Sequence, residues 1–234
     1  MIRMLFNTLA ILTLLAAPLL GHVPQNSGDT SSSSAPHFYP LEGRHNIQLN
    51  LGLSNNFGVH NEVGPGSVTN SVKMEGFVGS IGYYYWINQY FSVGVNIGVM
   101  GSEVITSTNF TGEYTQTSSV VPILFGFKVH PVTMTQRNNL RPYLSVLAGP
   151  FIGSIVENYV SNRVENSVYT ETSPGAHFEL GLDWSISNLF VLGVGAGYYY
   201  VSEFDNPIGG KTDYSSANFS FSFGILLGKT KTIK

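Results

Sequence analysis

Asn218-Phe219-Ser220-Phe221-Ser222-Phe223-Gly224-Ile225-Leu226-Leu227 alternates without a break. Phe219, Phe221, Phe223, Ile225 and Leu227 hold one parity, and Asn218, Ser220, Ser222 and Gly224 hold the other. Successive side chains of a β-strand point to opposite faces, so this period of two predicts a strand with one greasy face and one nearly bare face. The pattern recurs where Phe178, Leu180, Leu182, Trp184 and Ile186 alternate with His177, Glu179, Gly181, Asp183 and Ser185. Phe91, Val93, Val95, Ile97 and Val99 alternate in the same way with Ser92, Gly94, Asn96 and Gly98.

Working outward, such segments lie near 45 to 54, 73 to 86, 90 to 101, 119 to 130, 141 to 153, 175 to 186, 189 to 201 and 216 to 228. Eight segments of about ten residues, separated by turn and loop residues, predict an all-β fold, an eight-stranded antiparallel up-and-down transmembrane β-barrel. Closure would remove the unpaired strand edges that lipid does not tolerate. Long polar loops are expected around 55 to 72, 102 to 118, 154 to 174 and 202 to 215, and tight links at Ile87-Asn88-Gln89 and Ser187-Asn188. Pro131 to Leu140 is longer than a tight turn needs.

Composition agrees. Charged residues make up 11% of the chain, against roughly 25% in an ordinary soluble domain. Glycine at 26, phenylalanine at 15 and tyrosine at 13 suit small inward positions and aromatic rims. No stretch after residue 21 approaches the roughly 18 apolar residues of a spanning helix. A net charge of −3 gives no footprint for nucleic acid, and the absence of cysteine excludes disulfides, thiolate metal sites and a lipid-modified N-terminal cysteine.

Residues 1–21 read as an export signal, with Arg3 ahead of an apolar run from Leu9 to Ala17 and Pro18 before Gly21. An uncleaved anchor helix is the alternative, interrupted by Asn7, Thr8 and Pro18. Residues 22–44 read as a flexible periplasmic linker around the Ser-rich stretch at 31 to 34, and 45–234 as the barrel.

Tyr83, Tyr84, Tyr85 and Trp86, with Tyr90 and Phe91, surround the first short turn, while Trp184 and Phe190 flank the third. They are expected to form a periplasmic aromatic girdle, with Tyr198, Tyr199 and Tyr200 in an outer one. A core cluster in a soluble sandwich is the alternative, at odds with nearly charge-free strands.

Val121-Pro122-Ile123-Leu124-Phe125-Gly126-Phe127, Arg141-Pro142-Tyr143-Leu144 running into Ala148-Gly149, and Phe178-Glu179-Leu180-Gly181-Leu182-Asp183-Trp184 resemble strands of the small eight-stranded outer-membrane barrels. That group includes the OmpX, OmpW and OmpA transmembrane-domain types. The resemblance covers nearly all of the chain after its first 44 residues, although the C-terminus, Lys229-Thr230-Lys231-Thr232-Ile233-Lys234, lacks a final aromatic residue. It implies an outer-membrane location reached by a Sec signal, lipid and lipopolysaccharide as surroundings, a monomer, and a structural or surface-interaction role.

Eight strands enclose an interior that side chains fill. Lys128, Glu179 and Asp183 fall on the inward parity, with Arg141 near the periplasmic mouth. Buried charges must be paired or hydrated, so these four form either an ion-pair network that plugs the lumen or a narrow polar path. Lys73 and Glu75 share the parity of Phe77, Ile81 and Tyr83, which places them above the bilayer or requires a register shift at Gly79.

Catalysis finds little support. Neither His37, His45, His60, His130 nor His177 is followed two residues later by serine, the strand-face spacing that the lipid A deacylase barrels resemble. His177 and Glu179 could do acid–base work on one face, with lumen packing as the other reading, and His130-Pro131 reads as a strand exit. No His, Asp and Glu spacing points to a metal, and no cofactor is expected. The long loops, rich in Ser, Thr, Asn and Tyr as in Thr106 to Thr115, suit an extracellular ligand. A narrow porin-like channel for small solutes is the second functional reading, and a lipid-modifying enzyme the third.

Overall fold

In the computed structural model, residues 41–63, 68–109, 112–131, 139–160 and 164–228 are described. Eight strands run β1 His45–Val63, β2 Val68–Trp86, β3 Phe91–Asn109, β4 Gly112–Val129, β5 Leu140–Val160, β6 Val164–Ser185, β7 Phe190–Val201 and β8 Ser216–Leu227. Each pairs antiparallel with the next, and β1 pairs with β8 from His45↔Leu227 to Ser54↔Asn218, closing the barrel. The expected eight-stranded fold is the observed one. The expected export signal lies outside the described residues, as do most of the linker and most of the segment from Pro131 to Leu140.

The alternation seen in the sequence sorts side chains by environment, with the apolar parity outside. Ile47, Leu49, Leu51 and Leu53 on β1, Phe178, Leu180, Leu182 and Trp184 on β6, and Phe219, Phe221 and Phe223 on β8 all stand exposed. Asn46, Gln48, Asn96, Asn218, Ser220 and Ser222 are buried within. A soluble sandwich would reverse this arrangement. An apolar belt around a closed ring of hydrogen-bonded strands matches lipid, where every backbone polar group must be satisfied internally.

The tight links form as the sequence predicts, through side-chain caps. Asn88 Oδ1 accepts from the amides of Tyr90 and Phe91 at 2.8 and 2.9 Å, and Ser187 Oγ accepts from those of Leu189 and Phe190 at 3.1 Å each. Such short polar side chains replace the missing ladder partners of a turn.

Three of the four expected long loops are instead strand. β5 and β6 pair without interruption from Leu140↔Trp184 to Val160↔Val164, and β3 and β4 stay paired out to Asn109↔Gly112. The polar composition that suggests loops reflects only that these segments rise past the belt, so neither face needs lipid-matching side chains. Thr, Val and Tyr still favour the extended backbone. Because β6–β7 pairing stops at Gly175↔Val201 and β7–β8 pairing at Tyr199↔Ser216, the ring opens there and β1 to β6 continue as a projecting sheet.

The ladder changes register on three neighbouring strands near the level where the wall passes into this sheet. The shifts fall between Leu53 and Gly58, between Met74 and Val78, and between Met100 and Ser102. Gly76 and Gly101 take φ of 76° and 59° there, a left-handed conformation that glycine adopts without steric cost. The shift in β2 therefore lies at 75 to 77 rather than at Gly79.

Candidate functional site: a layered lumen and a latched mouth

Parity carries Lys128, Arg141, Glu179 and Asp183 inside, and β6 and β4 bring two of them into direct contact. Lys128 Nζ lies 3.2 Å from Asp183 Oδ2, with both side chains almost wholly buried. Lys128 also donates to Gln48 Oε1 at 3.4 Å and sits 3.9 Å from the ring centroid of Tyr143. His130 Nε2 meets the same Asp183 oxygen at 3.2 Å. One carboxylate thus holds an ammonium and an imidazole, which is the pairing that a charge needs away from water. Arg141, 3% exposed, stands opposite Asp183 across the β5–β6 ladder.

Tyr143 joins this knot to the next layer, since its ring faces Lys128 while its hydroxyl donates to Glu179 Oε1. Ser220 Oγ donates to Glu179 Oε2 at 3.2 Å, and His177 Nε2 lies 3.8 Å from that oxygen and 3.2 Å from Asn218 Oδ1. The His177 ring stacks on Tyr199 with centroids 3.9 Å apart. Glu179 therefore belongs to a second cluster rather than to the Lys128–Asp183 pair. Beside it a cavity of about 20 Å³, lined by residues including Asn50, Asn96, His177 and Asn218, has room for about one water.

Room for the tyrosines comes from the neighbouring strand, where Gly181 pairs with Tyr143 and Gly94 with Tyr84. A Cβ at Gly181 would stand 2.5 Å from the Tyr143 ring, and one at Gly94 would stand 2.5 Å from the Tyr84 ring. These glycines share the inward parity with the polar residues, so the same alternation that fills the lumen also clears it.

The aromatic girdle needs correction. Tyr83 and Tyr85 face outward, 43% and 38% exposed, as do Trp184, Tyr198 and Tyr200. Tyr84 and Trp86 point inward and are buried, and Tyr199 is buried between its two exposed neighbours. Four consecutive aromatic residues on a strand cannot share a face. Tyr90 is half-buried in the turn, where Gln89 donates to its hydroxyl.

Three lumen residues escaped the sequence reading although parity marks them. His130 shares the face of Lys128, Tyr143 that of Arg141, and Tyr84 that of Trp86. Arg44, assigned to the linker, is buried at the turn end and donates through Nη2 to the carbonyls of Asn188 and Leu226, the latter at 3.0 Å. Leu41, also assigned to the linker, packs with Trp86, Val191 and Leu226 to close that end.

The hairpin end is closed by residues 202–215. Phe204 and Ile208, 2% and 0% exposed, drop into the mouth against a cluster that includes Val78, Met100, Val120 and Phe151. A latch on β6 holds this segment. Glu171 accepts from the amides of Asp205 and Asn206, the latter at 3.2 Å, and from the Tyr169 hydroxyl at 2.7 Å. That hydroxyl bond is the main reason the Glu171 carboxyl is held below the usual glutamate range, and the same bond pushes the Tyr169 phenol up. From hairpin end to turn end the lumen is thus an apolar plug, a polar layer, a charged knot and an apolar base.

No protein-family model matches the chain, and no curated protein matches it. Its fold is similar to solved outer-membrane barrels. Ail of Yersinia pestis, solved with the heparin analogue sucrose octasulfate, is 15% identical, with 80% of this chain and 99% of that chain covered, at a TM-score of 0.47. OprG of Pseudomonas aeruginosa is 11% identical, with 80% and 97% covered, at 0.43, and the N-terminal β-barrel domain of OprF from the same organism is 14% identical, with 80% and 98% covered, at 0.38. The fold of the present chain rests on its own closed ring of eight strands.

Proposed function

We propose that this protein is a monomeric bacterial outer-membrane barrel, exported by residues 1–21, which anchors a projecting sheet that contacts partners outside the cell. The observation that carries this reading is the continuation of β1 to β6 beyond the level where the barrel opens. A barrel built only to cross lipid needs no such extension.

The projecting end offers two means of recognition. Ser202 bonds the Pro174 carbonyl and residues 205–206 latch to Glu171, and beyond these β6 has no strand partner on its β7 side among the described residues, which leaves backbone there for pairing. Among the residues whose side chains are described, Glu113, Glu157, Glu171, Glu203, Asp205 and Asp213 stand at this end against Lys211, which favours a cationic partner. Conduction of small solutes is the weaker reading, because the plug, the knot and the base fill the lumen in turn. Lipid modification is weaker again, since His177 and Glu179 are committed to Asn218, Tyr143 and Ser220 inside the wall.

The test replaces residues 156–168 with a two-residue Asn-Gly turn and compares cells displaying either form on an immobilised basic polypeptide. We expect both forms to migrate faster before boiling than after, with adhesion of the shortened form reduced at least tenfold. Sustained single-channel steps from the full chain, with equal adhesion by both forms, would overturn the proposal in favour of a channel.

A further inference from the structure

At the turn end, several buried hydrogen-bond donors have no partner among the described residues. Arg44 and Trp86 are neighbours on the inner face, joined by backbone bonds from Trp86 N to Arg44 O at 3.0 Å and from Gly43 N to Trp86 O at 2.9 Å. Arg44 spends only Nη2, on the carbonyls of Asn188 and Leu226. Its Nε and Nη1, the indole Nε1 of Trp86 and the Ser185 hydroxyl are buried with no partner among the described residues. Trp86 packs with Val191 and Leu226, and Val191 pairs with Ser185, so these groups belong to one contiguous patch. Arg44, Trp86 and Ser185 are 5%, 2% and 1% exposed.

Buried donors left unmade are costly, and native proteins rarely tolerate several together. Arg44 is a permanent cation only 5% exposed, and its bonds among the described residues go to carbonyls rather than to a carboxylate. Three nearby groups that can accept also lack partners. Asp183 Oδ1 lies over Gly193, Asn46 Oδ1 lies over Gly224, and His130 Nδ1 belongs to a ring whose centroid is 4.8 Å from that of Trp86. None of them is bonded to the guanidinium or the indole.

We propose that Arg44, Trp86 and Ser185 form a binding site for a small inorganic anion of the halide class, at the turn end of the barrel. The guanidinium supplies charge and the N–H groups of Nε and Nη1, and the indole and hydroxyl supply one donor each. An anion there would tie the start of β1 and the end of β2 to the end of β6, across the lumen.

Trp86 reports on its own site. The chain has two tryptophans, and Trp184 faces outward, so Trp184→Phe leaves Trp86 as the sole tryptophan, excited apart from the tyrosines at the red edge. The full chain carrying that substitution is refolded in detergent and titrated with sodium iodide at constant ionic strength, then with chloride as competitor. We expect saturable quenching, reversed by chloride, with half-saturation raised at least tenfold by Arg44→Gln. Ser185→Ala is expected to weaken binding several-fold while leaving the faster migration of unboiled protein unchanged, which covers the case in which Arg44→Gln fails to fold. Quenching that stays linear in iodide, or that Ser185→Ala leaves unchanged, would overturn the site.

Discussion

Asp183 is the residue on which the charged knot depends, because one of its oxygens serves both Lys128 and His130 at 3.2 Å. Removing one partner of a buried pair leaves the other charge uncompensated, which typically costs about 3–5 kcal/mol, whereas replacing both by apolar groups is often near neutral. Asp183→Leu should therefore lower the urea midpoint of the refolded barrel strongly, and Asp183→Leu with Lys128→Met should recover most of the loss. Equal midpoints for the single and double variants would show that the pair is not the source of the cost. Glu171 gives a prediction in pH. Its folded pKa lies below the ordinary value, so the stability it lends the latch is present above that value and lost as pH falls through the lower, folded one. The Asp205 and Asn206 amide resonances should titrate with a midpoint below the usual glutamate range, and Glu171→Gln should abolish that titration.

At the scale of elements, the bulges on β2 and β3 decide how the wall becomes a projecting sheet. Gly101, at φ 59°, has Tyr214 Cε1 3.0 Å from where a Cβ would stand, while Gly210, at φ 76°, has nothing within 4 Å. Forcing a side chain into the left-handed region costs about 1–2 kcal/mol. Gly210→Ala should show that cost alone, and Gly101→Ala should exceed it because Tyr214 must also move. Unfolding midpoints of the two variants make the comparison, and an equal loss would mean that Tyr214 yields freely. These elements also show where sequence reading stops. Residues 164 to 174 contain Thr, Val and Tyr but no apolar alternation, so the period-two signal that marks β8 is missing from a segment that is nonetheless strand. The signal reports a boundary between lipid and lumen, and above the belt there is no such boundary.

For the whole molecule, the order of layers governs permeability. Phe204 and Ile208 close the hairpin end, and Leu41, Trp86, Val191 and Leu226 close the turn end, with the Lys128–Asp183 pair between them. Withdrawing one plug should make a cup rather than a channel. Phe204→Ser with Ile208→Ser is expected to leave planar bilayers without sustained conductance, and steady steps from that variant would mean that the knot and base let ions pass.

The sequence by itself determined the eight strands and which parity faces lipid, because alternation is a local property that each strand carries alone. It also placed Lys128, Arg141, Glu179 and Asp183 inside, since inward parity follows from the same count. Only the tertiary structure decided that Lys128 pairs with Asp183 while Glu179 pairs with Tyr143 and Ser220. It also decided that Arg44 closes the turn end and that residues 202–215 fold into the mouth. Those contacts depend on register across strands distant in sequence and on the depth of each residue along the barrel axis, and neither is written in the periodicity of any one strand.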